Sequence, residues 1–145
     1  MSADVQIASL LRIAAEDLQG ARLLAASGNR NAVYLCSQAA EKVIRAVLTS
    51  EGVHAGIKHL LREMVDRVPD ENPLKPLLRA IEHLGAYATT FRYPTTAGRV
   101  AAPPGTTELD KYTASVDAAL QAAATAFAVD LADPRRPAGR PGPVR

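Results

Sequence analysis

The stretch "NRNAVYLCSQAAEKVIRAVLTSEG", residues 29 to 52, constrains the fold more than any other part of the chain. Val33, Cys36, Ala40, Val43 and Val47 recur at steps of three and four. At about 100° per residue that spacing puts them on one stripe of an α-helix. Tyr34, Gln38, Glu41 and Arg45 repeat at the same steps and form a second stripe on a nearly opposite face. A segment with one apolar and one chemically rich side must bury the first against other helices. Its second side is then either a solvated face with pairs such as Glu41 and Arg45, or a working surface.

The rest of the chain supplies the partners. A first helix is predicted from about Asp4 to Ala26, with Ile7, Leu11, Ala14, Leu18 and Ala21 on one face, Ser2 or Asp4 as cap and Gly28 as terminator. The second runs from about Arg30 to Ser50 and stops at Gly52. A third, short helix is expected near Lys58–Arg67, closed by Pro69. Asn72 followed by Pro73 reads as a cap and first-turn proline, with Pro76 as the other possible start. The fourth helix then carries Leu74, Leu77, Ile81, Leu84, Ala88 and Phe91 and ends at Pro94. After the long loop "PTTAGRVAAPPGT", Thr107 and Asp110 resemble a capping box for a last helix reaching about Leu131 through Leu109, Tyr112, Val116, Leu120, Ala123 and Phe127.

Alternating β-branched runs are absent. The predicted fold class is therefore all-α: an antiparallel up-and-down four-helix bundle with a short additional helix. At 145 residues the chain fits one domain with a core of its own. We expect a helical domain over residues 1–132 and a flexible Pro/Gly/Arg-rich tail over 133–145. The tail "PRRPAGRPGPVR" holds four arginines and no acid, and without it 13 basic residues face 15 acidic ones. A body of net charge −2 is not a general nucleic-acid binder, although the tail offers a weak electrostatic arm for a polyanion.

Several chemistries find no residues to carry them. A single cysteine, Cys36, rules out an internal disulfide, and its place on the apolar stripe marks a buried structural thiol. No secretory leader and no apolar run near the ~20 residues of a membrane span is visible, so a cytoplasmic protein is expected. There is no Gly-rich phosphate loop. His54, His59 and His83 pair with no other ligand at metal spacing, and Glu-x-x-His is missing, so neither a metal nor a cofactor is expected. His59 opens the third helix either as a cap or surface residue or as a ligand contact. Arg79, His83 and Tyr87 follow at i, i+4 and i+8. They share one side of the predicted fourth helix, which a solvated face or a phosphate-handling pair would explain.

The order of motifs resembles a known family. "AAEDLQGARLLAASGNRNAVYLCSQAAEKVIRAVLTSEG", then "KHLL", then "FRYP" is similar to the HEPN domain (higher eukaryotes and prokaryotes nucleotide-binding). The Ala-x-x-Asp-Leu-like pattern falls at Ala14–Leu18, and the Gln-Ala-x-Glu-Lys core at Gln38, Ala39, Glu41 and Lys42. The His-Asp-Leu-like turn falls at His59-Leu60-Leu61 without the acid, and Arg-Tyr-Pro at Arg92, Tyr93 and Pro94. The resemblance implies an all-α bundle, usually a homodimer, often encoded beside a minimal nucleotidyltransferase in toxin–antitoxin or defence pairs. Several lineages are metal-independent ribonucleases with an Arg and a His separated by four to six residues. Here Arg79 and His83 have three residues between them, and no histidine follows Arg92. The resemblance therefore implies a binding protein for a nucleotide or a partner nucleotidyltransferase, with Gln38, Glu41, Lys42, His59, Arg92 and Tyr93 as ligand-binding candidates. A divergent ribonuclease toxin using Arg79 and His83 on RNA is the alternative, and a scaffold without a ligand the third. Tyr93 is expected to pack near its turn.

Overall fold

The computed structural model describes residues 2–57, 60–89 and 92–145, all of them helix, turn or loop with no strand. Three long helices build the frame: α1 (Ala3–Ala26), α2 (Asn31–Ser50) and α5 (Thr106–Ala126). Between them lie α3 (Leu61–Asp66), α4 (Lys75–Arg79) and a 3-10 segment, Glu82–Ala88. Cross-links fix the directions. Lys42 reaches Asp17, and a Cβ on Gly20 would meet Leu35, so α1 and α2 run antiparallel. Arg22 faces Asp117 while Arg12 donates to the Asp130 carbonyl, so α1 and α5 are antiparallel too.

α2 is the central helix. Its apolar stripe is fully buried, Cys36 included, and burial pushes the Cys36 thiol up to about 12. Its second stripe is covered as well. Glu41 is buried, and Tyr34, Gln38, Lys42 and Arg45 are half-buried. That differs from a solvated outer face, because α1, the loop after α2 and the 3-10 segment wrap the helix from several sides. α1 buries Ile7, Leu11, Ala14, Leu18 and Ala21, and α5 buries Val116, Leu120, Ala123 and Phe127. Those are the stripes that the periodicity predicts. Gly28 and Gly52 stop α1 and α2 at φ of 71° and 70°, the left-handed conformation that lets the next amides turn back onto the last carbonyls.

The fourth element departs from the sequence expectation. A continuous helix from Leu74 to Pro94 is replaced by one short turn of α-helix and a 3-10 segment. Pro76 sits in the first turn of α4, and the chain leaves helical geometry at Ile81, with φ −114°. The buried residues explain the change. Leu78, Ile81 and Leu84 are spaced by three and all buried. A 3-10 helix, with three residues per turn, keeps such residues on one line, whereas an α-helix would rotate them away. Gly85 lets this segment lie close to α3: a Cβ there would stand 3.1 Å from Leu61 Cγ. Lys58 and Phe91, assigned to the third and fourth helices from sequence, lie outside the described residues.

Two caps also differ. α5 starts at Thr106 behind Gly105, with no side-chain cap, so the Thr107/Asp110 capping box does not form. At α1 the Ser2 side chain caps nothing, and the Asp4 carboxylate accepts from the next amide instead. Asn72 does act at its turn: Oδ1 accepts the Leu74 amide at 2.9 Å, while Nδ2 donates to Glu51.

The tail lies on the bundle rather than away from it. Ala138 is buried, and its amide donates to the Asp4 carbonyl at 2.9 Å. The Gly139 and Arg140 amides cap the carbonyls of Ala128 and Phe127 at the end of α5. The Arg145 guanidinium grips Glu51 with Nη1 at 2.6 Å and Nη2 at 3.0 Å. Backbone amides, single arginines and the small apolar side chains of Ala138 and Val144, which join the core, make these contacts. A tail with little apolar surface can thus dock without a core of its own.

Candidate functional site

Tyr34 stands in the first turn of α2, at the end of the bundle where α1 turns into α2. The Arg92 guanidinium lies over its ring, 4.4 Å from the centroid. The Tyr93 ring flanks the same cation at 5.6 Å. A guanidinium on an aromatic face gains cation–π attraction and keeps its hydrogen-bonding edge open. Arg92 is exposed, and among the described residues no carboxylate pairs with it. Tyr93 is 67% exposed. The expectation that it packs near its turn is therefore corrected. The Arg92 amide donates to the Thr89 carbonyl at 3.2 Å, and the exposed Tyr93 ring stands beside the Arg92 guanidinium.

A second aromatic group borders this end. The Tyr87 and Tyr112 hydroxyls meet at 3.4 Å, and His83 packs edge-on against Tyr112 with centroids 5.0 Å apart. The hydroxyl contact with Tyr112, with burial and the nearby Glu108 charge, pushes Tyr87 up to about 12. Tyr87 is thus neutral across the physiological range. Arg30, one turn before Tyr34, donates to the Ala101 carbonyl at 3.1 Å and ties the long loop before α5 to this end.

The other candidates are placed differently. Gln38 is half-buried one turn after Tyr34, on the same side of α2. Glu41 is buried and accepts Arg45 Nε at 3.1 Å, while Arg45 Nη1 holds the Gly56 carbonyl at 2.9 Å. That pair braces the loop after α2. Lys42 is bound to Asp17 at 2.5 Å between α1 and α2, so its charge is already met. His59 lies outside the described residues. Arg79 is clamped by Asp66 at 2.6 Å and Glu82 at 2.9 Å. His83 instead faces Tyr112. The break at Ile81 removes the helical register that would have aligned Arg79, His83 and Tyr87. Tyr112 was read from the sequence as part of the α5 core stripe. The structure leaves it half-buried beside Tyr87 and His83, and a tyrosine within an apolar stripe is the signal that marked it.

A family model for the HEPN domain matches residues 7–125, most of the chain. The chain belongs to the HEPN domain family. No curated protein and no solved structure matches it. Membership ties this HEPN domain to nucleotide- or RNA-related function in general terms. Within it, the Arg-Tyr-Pro turn delivers Arg92 to the α2 N-terminus, whereas the Gln-Ala-x-Glu-Lys core mainly holds the bundle together. No helix among the described residues is long and apolar enough to cross a membrane.

Proposed function

We propose that this HEPN domain is a dimeric binding protein that recognises a nucleotide at the Tyr34–Arg92–Tyr93 end, acting with a partner minimal nucleotidyltransferase of a toxin–antitoxin or defence-type pair. The observation that carries the reading is Arg92, an exposed guanidinium ordered by two aromatic rings with no carboxylate against it among the described residues. A phosphate accepts two parallel hydrogen bonds from such a fork. The exposed Tyr93 ring offers a face for a base, worth about 1–3 kcal/mol per stacked base in single-strand binders. Gln38 supplies an amide on the neighbouring turn of α2, and a dimer accords with a family whose domains often self-associate.

The ribonuclease alternative has less support. Arg79 Nη1 is held between two carboxylates, and His83 rests against Tyr112.

Titration calorimetry with ATP and with short single-stranded RNA, without metal, tests the proposal on wild type, Arg92→Ala and Lys42→Ala. Saturable binding that Arg92→Ala weakens at least tenfold and Lys42→Ala leaves nearly unchanged is the expected result. Absence of binding, or loss in the Lys42 variant alone, would move or remove the site. Light scattering at micromolar concentration is expected to give twice the chain mass, and a persistent monomer would refute the dimer.

A further inference from the structure

Exposed apolar side chains gather at the end of α2 opposite Tyr34. A cleft of about 650 Å³ lies there, with Leu10 and Ile13 of α1 on one side and Val53 and Ala55 of the loop after α2 on the other. Ile13 is 45% exposed. Val5 and Ser9 precede it at four-residue steps, and Val5 is exposed too. Beside the hollow stands a knob. Ile57 follows Gly56, which lines the cleft, and is 90% exposed.

The loop that carries Ile57 is braced. Arg45 Nη1 donates to the Gly56 carbonyl at 2.9 Å, and the Gly56 amide donates to His54 Nδ1 at 3.0 Å. An isoleucine held in water on a fixed loop gains when it is covered and gives up little backbone freedom in exchange. Charge does not oppose a second copy here. Among the described residues no carboxylate lines the cleft, and Glu41 already meets the Arg45 guanidinium. A knob and a hollow on one patch are what a two-fold contact needs, because residue i then meets j while j meets i. An unrelated protein would have to bring both features itself.

We propose that a second copy of this chain covers this face, with Ile57 of each protomer seated between Ile13 and Val53 of the other. The inference rests on the dimer of the proposed function and adds its surface. It also decides where the nucleotide ends lie. Tyr34 and Thr49 are separated by some fifteen residues of α2, about 22 Å at the helical rise. Each Arg92 therefore stands away from the contact, and the two nucleotide sites act independently.

Light scattering and equilibrium sedimentation of the whole chain test the surface. Wild type is expected at twice the chain mass. Ile57→Asp and Ile13→Asp, each checked for an unchanged thermal melt, should raise the dimer dissociation constant at least a hundredfold. Leu23→Asp, at an exposed position of α1 outside the cleft, should leave it unchanged. Ile13→Cys mixed with Ile57→Cys under oxidising conditions should give a disulfide-linked pair with one chain of each, while buried Cys36 stays silent. A wild-type monomer would overturn this surface and the dimer of the proposed function together. A dimer that survives both aspartates and forms no mixed disulfide would keep the dimer and overturn the surface. Equal binding of the apolar dye anilinonaphthalene sulfonate to the wild-type dimer and to Ile57→Asp would also overturn it, by showing the cleft open to a small ligand. An ATP affinity that falls tenfold in Ile57→Asp would place the nucleotide site across the contact and overturn the independence of the two ends.

Discussion

The two ends of α2 use arginine in opposite ways. At its C-terminal end Arg145 meets Glu51 and Arg45 meets Glu41, each cation held by a carboxylate and each tying a loop or tail to the bundle. At its N-terminal end Arg92 rests on Tyr34 without a carboxylate partner among the described residues. A guanidinium paired with an acid has little left to offer an incoming phosphate. One ordered by an aromatic face keeps its charge and its donors available. The difference separates cations that maintain the fold from one positioned for a ligand, and it can be broken by substitution.

The largest effect is expected where the tail end meets the core. Phe127 is fully buried at the exit of α5, and its carbonyl accepts the Arg140 amide of the docked tail. Phe127→Ala should cost about 3–5 kcal/mol, the range for emptying an aromatic site in a packed core, read as a lower urea midpoint. A loss below about 1 kcal/mol would mean that the tail end is not packed as described.

Next comes the ion pair of the tail. The Glu51 side chain is only 3% exposed, and Arg145→Ala would leave its carboxylate with Asn72 alone. The expected outcome is a lower urea midpoint, because the Glu51 carboxylate loses its charged partner. The hydrogen bond from Arg145, opposed by burial, holds the Glu51 carboxyl below its ordinary value of 4.5. A carboxyl lowered in the folded state binds its proton more tightly when unfolded. The pair's stabilisation is therefore fully present above about pH 4.5 and is lost as pH falls through the lowered value. Arg145→Ala should flatten that acid limb of the stability curve, and an unaltered limb would assign the acid sensitivity elsewhere.

At the other end the expectation reverses. Arg92→Ala should leave the melting temperature within the shift of a surface substitution, about 0.5 kcal/mol, while weakening nucleotide binding at least tenfold, about 1.4 kcal/mol. A large stability loss with unchanged binding would make Arg92 another structural arginine and erase the contrast. The smallest effect belongs to Tyr93→Ala. With the ring 67% exposed, denaturation should move by no more than about 0.5 kcal/mol. A shift of 2 kcal/mol would place the ring against a partner surface, such as a second subunit.

Particular residues show how far the sequence was legible. Ile7, Leu11, Ala14, Leu18 and Ala21 in α1, and Val116, Leu120 and Phe127 in α5, are buried as their spacing requires. Periodicity reports burial directly when a helix is long and packs on one side. The segment from Leu74 to Pro94 misled because its apolar residues fit three-residue and four-residue steps alike. Only contact with α3 and α2 selects the three-residue repeat of Leu78, Ile81 and Leu84. The candidate site was legible in its residue types, Arg92 and Tyr93, but not in its partner. Tyr34 stands 58 positions away and was read within the stripe of Gln38, Glu41 and Arg45.

By itself the sequence determined the all-helical class, the three long helices, the glycine stops of the first two and the family, whereas the last helix ends at Ala126 rather than near Leu131. These follow from local propensity, from hydrophobic period and from an ordered set of motifs, all written along the chain. The tertiary structure alone decided which charges are occupied. Lys42, Arg79 and Arg145 carry the same formal charge as Arg92, but Asp17, Asp66 and Glu51 meet the first three. Electrostatic pairing depends on distance in space, falling off over a few ångströms, and the chain brings together residues from 13 to 94 positions apart to satisfy it. Whether an arginine braces the fold or awaits a ligand is therefore decided by its neighbours across the bundle, not by its neighbours in the sequence.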